Sequence, residues 1–576
     1  MKQFVLDIEA NGLDPDTVWC IVVRQLGHDD SLIWSGDRLP EFITWLQLQD
    51  ECELIGHNLI GYDIPVLEKL LAVDFSKCKI TDTLVMSRLA NPSREGGHSL
   101  DNWGSILNCP KGDHNVWDIF SYDMLDYCIQ DVRVNALVYQ RLLSELRGFE
   151  PESIDLEHQV QSIVTQQIKT GWLLDQEKAY HLLATLKEKK NDLEDEVHEV
   201  FKPLPTFVKE ITPKFKKDGT QSVVGLKFLG DNWEEAVAPF SRIDFPVFNL
   251  GSRQQIGRHL QYYGWKPKQF TETGQAIVDE AVLGTVKGIP QAALIAKYLM
   301  IQKRVAQVQS WLEAVKEDGR VHGYVNPNGA VTGRMTHSSP NMGQVPAVYS
   351  PYGKECRDVW TVPEGYKLVG MDASGLELRM LAHYMNDEGY TNEILTGDIH
   401  TANQLASGLE TRDQAKTFIY AFLYGAGDSK IGSIVGGSAK DGKRLKEKFL
   451  GNTPSLGRLR ERVAVASGRG YVLGLDGRRV YVRSQHAALN TLLQSAGAIV
   501  MKKALCLLDE YATKWKINYN FIGNIHDEIQ TEVREEKAKV FGGLATSCVE
   551  AAGIYYKLNC PLAGEFKVGD SWADTH

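Results

Sequence analysis

The first quarter of the chain alternates short apolar runs with polar segments. β-Branched and aromatic runs at 4–8, 19–23 and 54–57 predict three strands, the first two separated by a turn rich in Asn, Gly, Asp and Pro. Apolar positions at helical spacing predict a long helix over 123–143. Strands mixed with helices in this way predict an α/β domain over 1–150.

The pattern changes after residue 150. Two helices are predicted over 155–200, and Asp175 is a suitable N-cap for the second. Residues 202–247 break the helical pattern with five prolines and a lysine-rich first half, which indicates an inserted loop or small subdomain. Beyond residue 251 the chain is rich in predicted helix, with strands expected near 367–371, 471–474 and 519–533.

Length and composition exclude several classes of protein. A chain of 576 residues predicts three to four domains at about 150 residues each. Its 43% hydrophobic and 24% charged residues are ordinary for a soluble globular protein, and no apolar run is as long as a membrane span, so no membrane partner is expected. The N-terminus lacks the pattern of a secretory signal. The nine cysteines are scattered without a CxxC pair, which disfavours a structural zinc site or disulfide framework and favours the reducing cytoplasm.

Charge is distributed unevenly along the chain. The net charge is −11, and residues 1–150 hold 24 acidic but only 12 basic residues. Residues 440–483 hold 12 basic and four acidic residues. A local basic cluster can bind a phosphate backbone whatever the total charge, although a solvated charged surface is the alternative interpretation.

A first set of acidic residues lies in the α/β region. Asp7 and Glu9 are two apart on a predicted strand and therefore point to one face. Asp63 follows the third strand, and Tyr127 and Asp131 are four apart on the predicted helix. Four carboxylates can hold two divalent ions at a phosphate diester, and oxygen-only ligands favour Mg²⁺, with Mn²⁺ as a second choice. Tyr127 is a candidate for orienting the attacking water.

These blocks resemble those of the DnaQ-like, ribonuclease-H-like 3′–5′ proofreading exonucleases. The family blocks are Asp-x-Glu, Asn-x-x-x-x-Asp and Tyr-x-x-x-Asp, and they stand here as Asp7/Glu9, Asn58/Asp63 and Tyr127/Asp131. Since no position in the blocks is substituted, the resemblance implies an active nuclease with Asp7, Glu9, Asp63 and Asp131 as metal ligands.

A second set lies in the C-terminal half. Asp372 ends a predicted strand, and Asp527 lies in a His-Asp-Glu turn between two predicted strands, so two carboxylates can meet on a sheet. Between them, one helical stripe suits a triphosphate at its cationic end and a base at its aromatic end: Arg412, Lys416, Tyr420 and Tyr424. The alternatives are a solvated hairpin tip and a helix with an aromatic core face.

The second set resembles motifs A, B and C of the family A DNA polymerases. Longer strings are similar to the replicative enzymes of T-seven-type podophages within that family, namely Val325–Arg334, Asp372–Arg379, Lys416–Tyr420 and Ala487–Gly497, together with Trp572 and His576. The implied architecture is an α/β multidomain chain: a ribonuclease-H-like exonuclease domain over 1–150 and a right-hand polymerase domain over 151–576. Its parts would be a thumb at about 155–330, a palm at 331–400 and 475–576, and fingers at 400–475.

The resemblance also implies roles for single residues. Asp372, Asp527 and the Ala373 carbonyl would bind two Mg²⁺. Arg412, Lys416 and His400 would bind the incoming dNTP, with Lys416 protonating the pyrophosphate, while Glu377 and Tyr420 would fill the space beside the sugar C2′. The DNA contacts implied are Arg334, Asn490 and Gln494 in the minor groove, Tyr424 at the template base and His526 at the primer end; Glu528 would have a supporting role.

Two departures from relatives affect the expected partners. The proofreading blocks begin at residue 7, so the chain has no room for the 5′ nuclease domain of bacterial polymerase I. The insertion at 202–247 is shorter than the thioredoxin-binding insertion of the T-seven-type enzyme and does not obviously match it. Host thioredoxin or another processivity factor is therefore a hypothesis, and a basic loop touching duplex DNA is the alternative. Primer–template DNA and a replicative helicase–primase are the other expected partners of a monomer in the host cytoplasm.

Three other functions are weighed against a replicative polymerase. One is a 3′–5′ exonuclease whose C-terminal half only grips DNA, which the intact Asp372, Lys416 and Asp527 argue against. A single-subunit RNA polymerase is disfavoured by Glu377 and the proofreading blocks. A non-enzymatic replisome DNA-binding protein would explain the basic region but not the two sets of separated acidic residues.

Overall fold

The computed structural model describes residues 1–49 and 51–576, with residue 281 described by its backbone alone. The chain forms two compact units: Met1–Leu174 together with Ala314–His576, and Asp175–Glu313. The expected boundary at residue 150 falls within the first unit, and the second unit is narrower than the expected thumb. The subdomain boundaries remain predictions.

The strands of the N-terminal region are β1 (Lys2–Ala10), β2 (Val18–Gln25), β3 (Ser31–Ser35), β4 (Cys52–Gly56) and β5 (Cys78–Asp82). They form one five-stranded sheet in the order β3-β2-β1-β4-β5. β1, β2 and β3 are antiparallel neighbours, whereas β4 and β5 run parallel to β1. The helices are α1 (Leu39–Gln47), α2 (Asp63–Leu71), α3 (Thr83–Ala90), α4 (Leu100–Ile106) and α5 (Tyr122–Glu145). The strands expected at 4–8, 19–23 and 54–57 and the helix expected at 123–143 are confirmed within one to two residues.

Successive side chains of β1 point alternately into two different cores. Phe4, Leu6 and Ile8 are buried in a core that also contains residues of α1 and α2. Val5 is buried in the opposite core, which contains Val132 of α5. Because side chains two apart share a face of a strand, Asp7 and Glu9 lie on the α5 side of the sheet.

Helix α6 (Pro151–Thr170) and the short strand β6 (Trp172–Leu174) follow, and the second unit begins at Asp175. The Asp175 side chain accepts a hydrogen bond from the Lys178 backbone N–H, which confirms the expected N-cap. The elements of this unit are α7 (Gln176–Val200), β7 (Thr206–Ile211), β8 (Phe240–Asp244), α8 (Arg253–Tyr262), α9 (Glu280–Gly284) and α10 (Gln291–Ala314). The insertion at 202–247 thus contains an antiparallel strand pair, β7–β8, and the segment between its strands includes a 3-10 helix, Lys227–Glu235, that is kinked at Gly230.

The strands in the C-terminal part of the first unit are β9 (Arg320–Val321), β10 (Tyr324–Asn326), β11 (Thr336–Ser338), β12 (Trp360–Thr361), β13 (Tyr366–Ala373), β14 (Tyr471–Leu473), β15 (Arg479–Tyr481), β16 (Tyr519–Ile525), β17 (Glu528–Arg534) and β18 (Gly564–Gly569). Four of them form the antiparallel sheet on which this part is centred, in the order β16-β17-β13-β18. Its helices are α11 (Gly353–Asp358), α12 (Leu376–Met385), α13 (Glu388–Leu395), α14 (Ile399–Ser407), α15 (Arg412–Leu423), α16 (Asp428–Ile434), α17 (Ala439–Asn452), α18 (Pro454–Ser467), α19 (Ala488–Lys514) and α20 (Ala538–Tyr555).

Helix α19 is the central helix of this part. Ile499 and Leu505 of α19 are buried in one core with Val369 and Met371 of β13 and Phe541 of α20. The segment Gln485–Lys514 is long and apolar enough to cross a membrane by length and composition, contrary to the expectation above. Its most apolar window is 78% buried inside the protein, which is typical of a core helix.

Candidate active sites

The N-terminal acidic residues converge between β1, α2 and α5. The Asp63 carboxylate, at the first turn of α2, accepts a hydrogen bond from the Ile8 backbone N–H at 3.2 Å. Ligand atoms of Asp7, Glu9 and Cys128 lie within 4.8 Å of one another. Three of the four acids are almost fully buried, with exposed fractions of 7% for Glu9, 4% for Asp63 and 3% for Asp131. The structure therefore brings together all four carboxylates that the sequence indicates.

Burial and mutual repulsion make these carboxylates hard to ionise. Burial, and next the charge of Asp131, raises the pKa of Asp7 to about 8. Burial and the neighbouring Asp7 raise the pKa of Glu9 to about 10, and the same two causes hold the pKa of Asp63 well above its usual range. Carboxyl groups in such surroundings are expected to bind cations, because a cation removes both the repulsion and the desolvation penalty.

Lys111 supplies a positive charge that the sequence reasoning missed. Its ammonium group lies 2.7 Å from Asp131 Oδ2 and 4.6 Å from the centre of the Tyr127 ring. Asp131 Oδ1 is buried and has no hydrogen-bond partner within the described residues. Lys111 lies in the loop before α5, where no pattern in the sequence distinguishes it. Cys128 was missed as well, although it directly follows Tyr127.

Asn58 shapes the backbone that precedes Asp63. It has a left-handed conformation, with φ of 65°, and its backbone N–H donates to Asp82 Oδ1 at 2.9 Å. The Asp82 carboxylate also accepts from the backbone N–H of Ile60 at 3.0 Å and caps α3. Asp82 thus fixes the turn that carries the second block of the nuclease-like pattern.

The second pair of carboxylates meets at one end of the C-terminal sheet. Asp372 pairs with Glu528 across β13 and β17, and the Ala373 backbone N–H donates to the Asp527 carbonyl at 3.1 Å. Asp527 lies in the turn between β16 and β17, beside His526, which has a left-handed φ of 60°. A cleft of about 370 Å³ is lined by most of the residues predicted for this site: Arg334, Asp372, Ala373, Glu377, Tyr420, Tyr424, His526 and Asp527.

This pair is also difficult to ionise, but less so than the N-terminal cluster. The cleft walls partly desolvate the Asp372 carboxyl, and this desolvation together with the charge of Asp527 raises the pKa of Asp372 to about 7. Burial raises the pKa of Asp527, and a hydrogen bond to its own backbone and the charge of Arg334 oppose the rise. The cleft can hold a divalent cation on carboxylate oxygens, which suits Mg²⁺.

Three cleft residues are hydrogen-bonded to one another. The Tyr424 hydroxyl lies 2.9 and 2.8 Å from the two Glu377 carboxylate oxygens. Arg334 Nη2 donates to Glu377 Oε1 at 2.9 Å. Arg334, Glu377 and Tyr424, which are expected to contact the minor groove, the sugar and the template base, are thus hydrogen-bonded to one another in the substrate-free protein.

The cationic stripe lies on α15 as the sequence predicts. Arg412 and Lys416 are exposed near its start, and the Thr411–Gln414 capping box satisfies the first turn. Arg412 Nε lies 2.5 Å from Asp398, which also caps α14 just before His400. Asp398 is a further residue that the sequence reasoning missed. The His400 ring centre lies 6.2 Å from that of Tyr420, so the three predicted triphosphate ligands are on neighbouring helices.

Asn490 and Gln494 lie outside the lining of the cleft. They are half-buried on α19, two turns and one turn before Ala498, which does line the cleft. Since they are four apart, they share one face of that helix. The structure places them on the same helix as Ala498 of the cleft wall.

Glu528 is held by the C-terminal segment. The Trp572 indole N–H donates to Glu528 Oε1 at 2.6 Å, and His576 Nδ1 lies 3.4 Å from Glu528 Oε2. Arg357 Nη1 lies 3.8 Å from the same oxygen. These partners outweigh burial and hold the pKa of Glu528 below its usual value. Its side chain is therefore engaged in the fold next to the Asp527 turn.

Comparison with known proteins bears on the whole chain. Residues 229–574 match the family model described as DNA polymerase family A. The DNA-directed DNA polymerase of Escherichia phage T7 is 36% identical over an alignment of 704 residues that covers 100% of both chains. That of Enterobacteria phage T3 is 36% identical over 91% of this chain and 92% of its own. DNA polymerase I of Pseudomonas aeruginosa is 28% identical over 57% of this chain and 39% of its own.

The fold is similar to that of a solved polymerase structure, one of several that match. It is the POL domain of Pol1 from M. smegmatis in complex with DNA primer-template and dNTP. The TM-score is 0.79 with 20% identity, over 99% of this chain and 96% of that chain. At this identity the similarity shows the fold alone.

Proposed function

The chain belongs to DNA polymerase family A and is a DNA-directed DNA polymerase similar to those of phages T7 and T3; from that premise we propose that it is a replicative enzyme with two separate active sites. The C-terminal cleft adds dNTPs to a primer 3′ end. The N-terminal acidic cluster removes mispaired nucleotides as a 3′–5′ proofreading exonuclease on a ribonuclease-H-like domain.

The observation that carries the polymerase proposal is the composition of the cleft. Asp372 and Asp527 lie at one sheet end, and Glu377, Tyr420 and Tyr424 line the same space. The cations of α15 continue from Tyr420 toward the helix start. This arrangement has the order that a nucleotide needs, with carboxylates at the reacting phosphate and cations along the triphosphate.

In this proposal the reaction depends on positioning and charge. The primer 3′-oxygen attacks the α-phosphate of the dNTP, and pyrophosphate leaves. Asp372, Asp527 and the Ala373 carbonyl would hold two Mg²⁺, which when bound lower the pKa of the attacking hydroxyl and neutralise developing charge. Arg412 and His400 bind the outer phosphates, and Lys416 donates a proton to the leaving pyrophosphate. Before Arg412 can bind the outer phosphates, its ion pair with Asp398 must break.

Selection of the nucleotide is assigned to the hydrogen-bonded residues of the cleft. Glu377 and Tyr420 lie beside the sugar C2′ and exclude a 2′-hydroxyl, while Tyr424 borders the template base. Arg334 binds minor-groove acceptors that all correct base pairs share, as do Asn490 and Gln494 from α19. His526 contacts the primer end. The Arg334–Glu377–Tyr424 contacts must rearrange when substrate binds.

The proofreading proposal rests on the four carboxylates of the N-terminal cluster, of which Lys111 pairs with Asp131. Three almost fully buried carboxylates, the neighbouring Asp7, and an Asp131 oxygen without a hydrogen-bond partner in the described part of the chain fit divalent cations bound on oxygen, preferably Mg²⁺ or Mn²⁺. Asp7, Glu9, Asp63 and Asp131 would hold them. Tyr127 orients the attacking water, and Lys111 holds both Asp131 and the Tyr127 ring in place.

The insertion at 202–247 is a candidate surface for a processivity factor. Several of its apolar side chains are more than half exposed, namely Phe207, Phe215, Val237 and Phe245, and exposed apolar surface is typical of a protein-binding site. Host thioredoxin is one such factor, and a helicase–primase is the other proposed partner of the monomer in the host cytoplasm. Primer extension whose product length is unchanged by thioredoxin would reject this partner and leave DNA contact by the lysines of the insertion.

The test of the two-site proposal uses a labelled primer–template with Mg²⁺, with and without dNTPs, and compares the wild type with Asp527→Asn. We expect extension with dNTPs and 3′ shortening without them in the wild type, and loss of extension alone in the variant. Shortening in every lane without extension in any would leave a nuclease whose C-terminal half only grips DNA. EDTA should abolish both activities.

A further inference from the structure

Cys128 adds a sulfur atom to the N-terminal acidic cluster. Its thiol is fully buried on α5, one residue after Tyr127, and lies 3.5 Å from Asp7 Oδ2. Ligand atoms of Cys128, Asp7 and Glu9 lie within 4.8 Å of one another, a spacing that one ion can bridge. The proposed magnesium ligands of the proofreading site are all oxygens, so this sulfur is extra to that set.

A second observation points to a cation at the same place. Asp131 lies one turn beyond Cys128 on α5 and is only 3% exposed. Lys111 binds one of its oxygens, while the other has no hydrogen-bond partner within the described residues. The Lys111 ammonium group is thus bound to Asp131 and does not bridge Asp7, Glu9 and Cys128.

The ligand chemistry determines which cation this group prefers. Mg²⁺ prefers oxygen ligands in an octahedral arrangement and gains little from sulfur. A thiolate with two carboxylates suits a softer divalent ion such as Zn²⁺ or Cd²⁺, which accepts three protein ligands and a tetrahedral geometry. Cys128 therefore changes the competition between metals without removing any oxygen ligand.

We propose that Cys128, Asp7 and Glu9 form a binding site for a thiophilic divalent ion of the zinc and cadmium class. On binding, the Cys128 S–H bond breaks, its proton passes to solvent, and a sulfur–metal bond forms without change in oxidation state. Such an ion blocks 3′ shortening, because it occupies the carboxylates that the proposed Mg²⁺ mechanism requires. The inhibition rests on the proposed proofreading function, whereas binding of the ion does not.

The test uses Cd²⁺ as the probe on the full chain, with ultraviolet absorption by the thiolate-to-cadmium charge transfer as the readout. Wild type, Cys128→Ser and Cys548→Ser are titrated in parallel. Cys548 is a buried cysteine of α20, far along the chain in the C-terminal core, and serves as the matched control. At low Cd²⁺ we expect the charge-transfer absorption of Cys128→Ser to be lower than that of the wild type by the contribution of one thiolate. The absorption of Cys548→Ser should follow the wild-type titration.

A second readout measures primer shortening in Mg²⁺ against increasing Cd²⁺, each variant relative to its own rate without Cd²⁺. Loss of the sulfur ligand should weaken inhibition by about 10- to 100-fold, as loss of groups supporting a metal ligand does. Primer extension by each variant shows that the chain is folded. Equal absorption titrations for wild type and Cys128→Ser would overturn the proposal.

The failure of the two proposals can be told apart. A Cys128-dependent absorption in a protein that never shortens primers would refute the proofreading function and leave the metal site standing. Normal shortening that Cd²⁺ inhibits equally in wild type and Cys128→Ser would refute the role of the sulfur and leave proofreading standing.

Discussion

The two acidic sets of this chain differ in depth. In the N-terminal cluster, Glu9, Asp63 and Asp131 are almost fully buried between a sheet and a helix. In the C-terminal cleft, Asp372 is exposed at the end of a strand and Asp527 is half-buried in a turn. The same oxygen chemistry is therefore set in a protein interior in one region and on the wall of an open cleft in the other.

The difference in depth sets how strongly each region depends on a cation. Burial and repulsion raise the pKa of Glu9 to about 10, whereas the pKa of Asp372 is raised only to about 7. In the proposed reactions the buried cluster binds metal ions beside a strand end, while the open cleft admits a nucleotide and a primer–template duplex. Depth thus matches the two proposed substrates, one a strand end and the other a nucleotide on a duplex.

The largest effect that tests this difference between the two regions is expected from removing one carboxylate of the N-terminal cluster. Asp7→Asn keeps the size of the side chain but removes a metal ligand, and we expect 3′ shortening to fall at least about 1,000-fold, or about 4 kcal/mol of transition-state stabilisation. Primer extension should stay within about twofold. Both rates are measured on one labelled primer–template with Mg²⁺.

The matched control for this variant is Asp14→Asn, an exposed carboxylate in the turn after β1. It should leave both rates unchanged. If Asp7→Asn reduces extension as much as shortening, the two regions do not act independently and the assignment of one activity to each is wrong.

A third group of buried charges shows what a neutralised cluster looks like. The Glu157 carboxylate of α6 lies 2.5 Å from Arg478 Nη1 and 2.6 Å from Lys502 Nζ, and Arg478 also contacts Asp476 at 2.6 Å. Two acids and two bases balance here within the fold. The network is therefore interpreted as structural, in contrast to the N-terminal cluster, where Lys111 pairs with Asp131 and four carboxylates outnumber that cation.

Glu157→Gln tests that contrast. The change leaves Lys502 buried without its anion, so we expect the free energy of unfolding to fall by about 3 kcal/mol. Glu447→Gln, which removes an exposed ion pair with Lys443 on α17, should cost less than about 0.5 kcal/mol. Urea unfolding gives both values. Equal changes in the free energy of unfolding for the two variants would show that burial does not make the Glu157 network more important for stability than an exposed ion pair.

The sequence alone predicted much of both sites. Alternation and helical spacing placed Asp7, Glu9 and Asp131 on facing elements, and the strand-end position of Asp372 brought it to Asp527. Lys111 and Asp398 were missed because a loop lysine and a capping aspartate have no distinguishing pattern until the chain folds. Helical spacing also cannot decide which of the neighbouring Leu182 and Leu183 of α7 faces the core: the structure buries Leu183 and leaves Leu182 half-buried. A one-residue error rotates a helix position by 100°, which periodicity alone cannot resolve.

The raised pKa of Asp7 predicts how metal-free stability changes with pH. In the unfolded chain Asp7 ionises near its ordinary pKa of 3.8, while in the fold it keeps its proton until about pH 8. Stability from Asp7 is therefore present below pH 4 and is lost as pH rises through 8. Between pH 5 and 7 we expect a loss of about 2 kcal/mol relative to Asp7→Asn, below the limit of about 1.4 kcal/mol per pH unit.

This pH effect is measured by urea unfolding in EDTA at several pH values. Asp372→Asn is the matched comparison from the open cleft and should change the pH slope less, because Asp372 is more exposed and its pKa rises only to about 7. Mg²⁺ should raise the Tm of the wild type more at pH 7 than at pH 5. A larger slope change for Asp372→Asn would reverse the order of depth argued above.

The smallest expected effect concerns the hydrogen bonds that join Arg334, Glu377 and Tyr424 in the cleft. Tyr424→Phe keeps the ring but removes the hydroxyl that contacts both oxygens of Glu377, while Arg334 remains bound to that carboxylate. One such bond contributes about 1 kcal/mol, and it stabilises the substrate-free arrangement alone. We therefore expect the KM for dNTP to fall by up to about fivefold, with kcat and 3′ shortening unchanged. A rise in KM would mean that the hydroxyl acts in the substrate-bound state, so that Glu377 and Tyr424 stay joined when the nucleotide enters.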